Sequence, residues 1–358
     1  MKFKEILRTF FGTFFRLMPL SVKPGVRIFG NPHKNSPVFV TANFDLTVKR
    51  LTQHLKNQDC YLLVVPTNGI NVWCAARGSN FTAHSIIPVV KTSNIDEKVE
   101  HRILILPQLS APGIDVNLVK KETGWDCKFG PVYAQDIPEY LRDGLKKTDK
   151  MRRVRWPFID RIDVGLGIST TFLIFVLIII GFFSKDWLAE VILLGWGLIF
   201  LMYGLHPFIP GKSGWRKILF LEILIVIGVI SFNFLAVNQT KYIQNLLFIA
   251  MGLILIIGID FDGTTPLQKS QFDPILDKIG IQKLGNIKFG GRSKIVNSKI
   301  VLDQSKCTKC GMCYDICPIG VFEMVEEHKK MLNKYPGKCV TCEACVSQCL
   351  TGALTLRG

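Results

Sequence analysis

The chain has 358 residues, room for two or three domains, and a formal net charge of +16. Its 11 cysteines are too few for a disulfide scaffold, and eight of them crowd into 307–349, which points to metal rather than to secretion. Only 20% of residues are charged and mean hydropathy is positive, so a membrane part joined to soluble parts is expected. The Lys and Arg residues flank apolar spans, a placement that argues against a nucleic-acid partner.

Residues 1–20, MKFKEILRTFFGTFFRLMPL, have the apolar bias of a signal peptide, but Arg8 and Arg16 interrupt it and no small-residue cleavage site follows. Phe3, Ile6, Leu7, Phe10, Phe11, Phe14 and Phe15 fall at helical spacing, so an amphipathic helix lying on membrane lipid is expected. The alternative is a helix packed on the next domain.

Residues 21–160 are expected to form an α/β domain. SPVFVTAN (36–43), CYLLVVP (60–66), RILILP (102–107) and WDCKFGP (125–131) read as strands. Amphipathic stretches at 46–57, 82–92, 115–122 and 135–147 read as the helices between them. Continuous apolar strands in this alternation predict a parallel, Rossmann-like sheet covered on both faces. Such sheets bind ligands beyond the carboxyl ends of their strands, here the loops TANFD, PTNGIN and PQLSAPG.

The stretch NGINVWCAARGSNF (68–81) adjoins that edge. Gly69 suits a positive-φ turn and Asn71 suits a helix N-cap, so Val72 to Arg77 should form a short helix closed by Gly78. Cys74 takes its third position, where N–H groups and the helix dipole favour a thiolate. A soft-metal ligand and a buried core thiol are both open readings. Cys60 and Cys127 lie within expected strands and read as core.

Residues 161–262 hold four apolar spans at about 163–183, 187–209, 217–239 and 242–261, each long enough to cross a bilayer. Glu190 and Glu222 lie near span ends, where interfacial placement or a helix-packing hydrogen bond is expected. Lys146, Lys147, Lys150, Arg152, Arg153, Arg155 and Arg161 precede the first span, and Lys212, Arg216 and Lys217 fill the second loop. The first and third loops carry one Lys each. A basic linker (263–300) follows, with seven Lys or Arg against two Asp. Positive segments alternate, so a cytoplasmic-membrane protein with both soluble parts on the cytoplasmic side is expected.

Residues 301–358 read as a ferredoxin-like α+β domain. CTKCGMCYDICP (307–318) and CVTCEACVSQCL (339–350) each follow C-x2-C-x2-C-x3-C, in which the fourth Cys serves the other cluster. One [4Fe–4S] cluster should therefore use Cys307, Cys310, Cys313 and Cys349, and the second Cys339, Cys342, Cys345 and Cys317. Leu350 stands where the first run has Pro318.

NVWCAA (71–76) closely resembles the cap-helix motif of HgcA, the corrinoid protein family of microbial mercury methylation, whose corrinoid domain is related to that of CO dehydrogenase/acetyl-CoA synthase. SPVFVTANFDLT (36–47), RILILPQLSAPGI (102–114), FGPVYAQDIPEYL (129–141), KMRRVRWPFIDR (150–161) and FDGTT (261–265) resemble its other segments. GMCYDICPIGVF (311–322) resembles HgcB, its separate ferredoxin partner. The likeness implies a fusion of the two, with only the first 20 residues and 266–300 outside it.

That resemblance implies that Cys74 is the lower axial ligand of a corrinoid (cobalamin-type) cobalt. It implies that Thr41, Asn43, Asn68, Gly69, Asn71, Val72, Trp73, Ala75, Ala76, Arg77, Gln108, Ala111, Pro112 and Gly113 hold the corrinoid. The implied activity is a methyltransferase. It takes methyl from a methyl-tetrahydrofolate-type donor or its methyltransferase and passes it to Hg(II)–thiol. A low-potential electron donor feeds the two clusters, which supply two electrons to return Co(III) to Co(I). Two departures keep another acceptor in play. The family continues Gly-Lys where Arg77-Gly78 stands, and its extra C-terminal cysteine pair has no counterpart in TGALTLRG. A membrane electron-transfer protein without corrinoid is the third reading.

Overall fold

A computed structural model describes residues 3–16, 18–183, 185–210, 214–235, 240–258, 299–325, 330–336 and 339–357. The chain divides into two compact units, residues 1–18 with 156–267 and residues 19–155 with 268–358. The expected linker lies outside the described residues apart from Lys299 and Ile300, and so does FDGTT. Helix α1 (Phe3–Phe14) belongs with the first unit.

The α/β domain is a five-stranded sheet of β1 (Gly25–Phe29), β2 (Val38–Ala42), β3 (Cys60–Val65), β4 (Ile103–Leu106) and β5 (Asp126–Phe129). The strand order is β1-β3-β2-β4-β5. The last four strands are parallel; β2, β3 and β4 carry the unbroken apolar runs of strands covered on both faces, while β5, at the other edge, exposes Asp126 and Lys128. β1 was not expected; it pairs antiparallel with β3 and forms an edge. Its helices are α2 (Asp45–Leu55), α3 (Val72–Arg77), α4 (Ala83–Thr92), α5 (Ile95–Lys98), α6 (Val116–Thr123), α7 (Ile137–Arg142) and α8 (Asp149–Arg152).

Strand residues alternate between two cores. Val38, Val40, Leu63, Val65, Leu104 and Leu106 pack with Phe81, Ile86 and Trp125. Phe39, Leu62, Val64 and Ile105 pack with Val48, Leu55, Tyr140 and Met151. Cys60 joins the second core, fully buried, and burial pushes the Cys60 and Cys127 thiols up to about 12. The helix expected over 135–147 is shorter, because Gly144 and Leu145 both turn left-handed (φ 65° and 63°) and end it. Strand order reverses direction between β2 and β4, so their carboxyl ends open the crevice where such sheets take ligands.

The apolar unit contains α9 (Phe158–Phe183), α10 (Leu188–Gly204), α11 (Gly214–Leu235) and α12 (Thr240–Gly258). Three described helical segments, Phe158–Phe183, Lys185–Gly204 and Lys241–Gly258, are long and apolar enough to cross a membrane. Helix α11 has 22 residues and interrupts its apolar run with Arg216, Lys217 and Glu222. Leu173, Val191, Ile199, Met202, Leu253 and Ile257 form the interior, while Phe175, Phe182, Leu193 and Phe248 face outward. Gly195 lets α9 close in: a Cβ there would lie 2.4 Å from Leu173. The Tyr242 hydroxyl donates to Glu190 at 3.0 Å and ties α12 to α10, the helix-packing hydrogen bond expected for this acid. Helix α1 packs along α9, and beyond its end Arg16 pairs with Asp163. Leu7, Phe10 and Phe11 stay exposed on α1.

The C-terminal module is α+β. Strands β6 (Lys299–Leu302) and β9 (Leu354–Arg357) pair antiparallel, as do β7 (Phe322–Val325) and β8 (Lys330–Asn333). Two short helices, α13 (Met312–Ile316) and α14 (Ala344–Ser347), complete it over Ile300, Val321, Phe322, Met331 and Leu354.

Candidate functional site

The loop from β3 to α3 turns through Asn68 and Gly69, both left-handed (φ 56° and 69°), closed by the Ile70 N–H donating to the Thr67 carbonyl at 3.0 Å. One buried acceptor organises it. The Asn43 side-chain oxygen accepts from Thr67 N–H, Thr67 Oγ1 and Gly69 N–H at 2.9, 3.0 and 3.0 Å. Its Nδ2 donates to the Val22 carbonyl. Asn43 thus holds the loop, and Thr41 lies buried in β2.

Asn71 caps α3: its side chain accepts from the Cys74 N–H at 3.0 Å. This places Cys74, half-buried, on the first turn of the helix. Ala75 and Ala76 face the core, whereas Val72 and Trp73 pack only partly against it. The Arg77 guanidinium lies over the Trp73 ring at 5.6 Å. Trp73 Nε1 and Arg77 Nη1 are buried donors without a hydrogen-bond partner. Asn68 Nδ2 bonds Asn80. The loop after β4 lies tight against this helix: a Cβ on Gly113 would come within 2.4 Å of the Ala76 carbonyl.

The eight module cysteines gather in two sets. Cys317, Cys339, Cys342 and Cys345 line one small cavity that opens partly to solvent. Cys307, Cys310, Cys313 and Cys349 line a second, which Cys345 also borders. The fourth Cys of each run thus joins the other run's cavity. Among the described residues no three of His, Cys, Asp or Glu meet closely enough to hold a single metal ion; the sulfurs ring a space instead.

The loops repeat one shape. Lys309 and Gly311 in the first run, and Thr341 and Glu343 in the second, are left-handed at matching offsets. Backbone N–H groups of Val321 and Thr341 donate to the sulfurs of Cys317 and Cys339. Burial pushes Cys313 and Cys342 up to about 12, and neighbouring cysteines push the same way. Cys349 goes down: burial raises it, but hydrogen bonds from Thr351 and the backbone at Ala353 and Leu354 outweigh that. Four thiols crowded in an apolar space repel as thiolates, which a set of iron cations would relieve; the donor sets suit iron–sulfur cubanes.

The module sits on the α/β domain across the loop 107–114. Gln348, buried, donates to the Ala111 and Ile114 carbonyls at 2.7 Å each. Ser347 donates to the Pro112 carbonyl. Gln108, 1% exposed, donates to the carbonyls of Arg152 and Ile316. Lys147 pairs with Asp315 at 2.8 Å and also reaches Gln108 Oε1. Its burial lowers its pKa, against the opposing pull of Asp315. Arg152 stacks on Tyr314 at 4.2 Å, and the Tyr314 hydroxyl donates to Asp149. Ile316, Cys342 and Ala344 enter the same core as Ala75 and Ala76. The family resemblance implies that Gln108, Ala111 and Pro112 hold a cofactor; the structure shows in addition that the module engages them. No local pattern announces a docking partner, so this role was missed.

Residues 14–141 match the family of the CO dehydrogenase/acetyl-CoA synthase delta subunit, and residues 306–353 match the 4Fe–4S dicluster domain. The acetyl-CoA decarbonylase/synthase complex subunit gamma of Methanopyrus kandleri is 36% identical over 135 residues, 37% of this chain and 29% of that protein. The same-named subunit of Methanocaldococcus jannaschii is 34% identical over 134 residues, 37% of this chain and 27% of that protein. The corrinoid/iron–sulfur protein large subunit of Moorella thermoacetica is 32% identical over 130 residues, 36% of this chain and 29% of that protein. The chain spans less than a third of the length of these relatives. Its α/β domain is therefore homologous to a domain of the acetyl-CoA synthase corrinoid subunits, joined here to a 4Fe–4S dicluster domain.

Proposed function

We propose that the chain is a membrane-anchored corrinoid protein that accepts a methyl group, carries it on cobalt and transfers it to Hg(II). The observation that supports this most is the capped helix Val72–Arg77. It sets Cys74 beside the ligand edge of a domain homologous to corrinoid subunits. When bound, a corrinoid supplies a cobalt centre that takes up and releases methyl, and the cubanes supply single electrons. The chain's part is to hold Cys74 on a pre-capped helix and to offer Trp73 Nε1 and Arg77 Nη1 as donors to the cofactor's amide periphery. Gly113 keeps the 107–114 loop against that helix. Cys307, Cys310, Cys313 and Cys349 would hold one cluster, and Cys339, Cys342, Cys345 and Cys317 the other. A methyl-tetrahydrofolate-type donor and a low-potential electron donor are the implied partners. The apolar helices would form four spans with both soluble parts cytoplasmic.

Anaerobic purification tests the reading. Cobalt should accompany iron, and Cys74→Ala should change the cobalt absorption spectrum and abolish methylmercury formation in cells carrying this gene. Iron without cobalt would leave only membrane electron transfer. A second reading keeps the corrinoid and changes the acceptor. It is favoured by Arg77-Gly78 in place of Gly-Lys and by all eight module cysteines bordering the two cavities, none left to handle mercury. Methyl loading on cobalt with no methylmercury would select it.

A further inference from the structure

The segment 147–154 carries three cations that touch the cluster module, and two of them have a carboxylate of their own. Lys147 pairs with Asp315. Arg152, stacked on Tyr314, pairs with Asp149. Arg153 is different: among the described residues no carboxylate lies within ion-pair distance of it. Its half-buried guanidinium lies instead against the loop that follows Cys317. Nη1 stands 3.5 Å from the Cys317 carbonyl oxygen, and a Cβ on Gly320 would overlap the same guanidinium. Gly320 is left-handed (φ 71°), so the turn brings a bare Cα to the cation without strain. The next residue of the segment fixes the register, the Val154 N–H donating to the Pro318 carbonyl at 2.8 Å. Cys317 is buried. Its sulfur accepts from the Val321 N–H at 3.3 Å, and the residue borders the cavity shared with Cys339, Cys342 and Cys345.

We propose that the counter-charge of Arg153 is the iron–sulfur cluster held through Cys317, and that Arg153 raises the reduction potential of that cluster. A cubane on four thiolates is anionic, and an electron from a low-potential donor adds one more negative charge. A nearby cation that no carboxylate neutralises favours the reduced form over the oxidised one. Lys147 and Arg152, already neutralised, contribute little. The Cys307/Cys310/Cys313/Cys349 cluster receives no unneutralised cation from this segment, so the electron is drawn toward the Cys317 side. The effect exists only while the module is seated on the segment; by linkage, reduction of that cluster also tightens the seat. The inference rests on the cluster assignment, and on neither the corrinoid nor the methyl acceptor.

EPR-monitored potentiometry of the full-length protein, purified without oxygen, tests it. Arg153→Gln should shift the reduction equilibrium of one cluster about tenfold toward the oxidised form, a fall of about 59 mV for a one-electron couple, and leave the other in place. Arg153→Lys should keep most of the wild-type potential. Cys339→Ser should alter the EPR signal of the cluster that moved. Neither cluster moving, both falling together, or the moved signal surviving Cys339→Ser unaltered overturns the inference. So does Arg153→Lys falling as far as Arg153→Gln, because shape rather than charge would then be responsible. If Arg153→Gln does not assemble two cubanes, Gly320→Ala decides. Its Cβ displaces the guanidinium, so the same potential should fall, and an unmoved one counts against Arg153. Wild-type iron content well below two cubanes would instead defeat the cluster assignment itself.

Discussion

Asn43 and Asn71 show what a single residue reveals before folding. Asn71 serves a group three residues away, so its cap on the Cys74 N–H was legible in the sequence. Asn43 serves Thr67 and Gly69, more than twenty residues on. The sequence placed it at the ligand edge but carried no sign of which way its amide would face. Asn43→Ala should strand two buried N–H groups and cost about 2–4 kcal/mol, read as a lower thermal midpoint in detergent. An unchanged midpoint would mean that the loop has other support. Glu343 offers the opposite case. It is left-handed at φ 64° where the first cluster loop has Gly311 at φ 80°. A side chain there costs roughly 1 kcal/mol, so Glu343→Gly should slow the loss of iron to a chelator.

At the scale of elements, period and punctuation did most of the work. Three of the four parallel strands, β2, β3 and β4, were legible because burial on both faces demands unbroken apolar runs; β5, at the far edge with Asp126 and Lys128 exposed, was legible from its place between two helical stretches. β1 was not, because an edge strand buries only part of itself and Ile28 stays 57% exposed. The short helix α3 was legible from its caps rather than from any period, being too brief to show one. What holds it in place was hidden. Gly113 lies against the Ala76 and Phe81 carbonyls, where a Cβ would approach to 2.4 and 2.6 Å. Both contacts are with backbone, so no side chain can swing aside. Gly113→Ala should therefore push the 107–114 loop off the helix at a cost of about 1–3 kcal/mol. Lower cobalt retention after gel filtration, alongside a lower thermal midpoint, would report it; unchanged values of both would show that the loop has room to move.

At the scale of the molecule, two cysteine runs announce a dicluster module, but no motif says where it rests. Its seat is built from scattered polar groups, Gln108, Lys147, Asp315 and Gln348, which acquire meaning only when distant segments meet. Lys147 is the most buried charge among them, its side chain 3% exposed beside an Asp315 that keeps 38% of its own in water. Burial disfavours the ammonium, and Asp315 with Gln108 compensates. Lys147→Met removes the compensated charge but leaves Gln108 Oε1 and the Asp315 carbonyl without their donor. Asp315 itself can turn to solvent, so the loss should be on the order of 2 kcal/mol rather than the larger penalty of a fully buried pair. Asp315→Asn alone should cost less, and the double variant should cost less than the sum, because each single change removes the same contact. Hydrogen exchange in 107–114 and 312–318 is the readout. Both segments should exchange faster together if the module lifts as a unit. Faster exchange in 312–318 alone would mean that Lys147 stabilises α13 locally, and that Gln348 carries the seat.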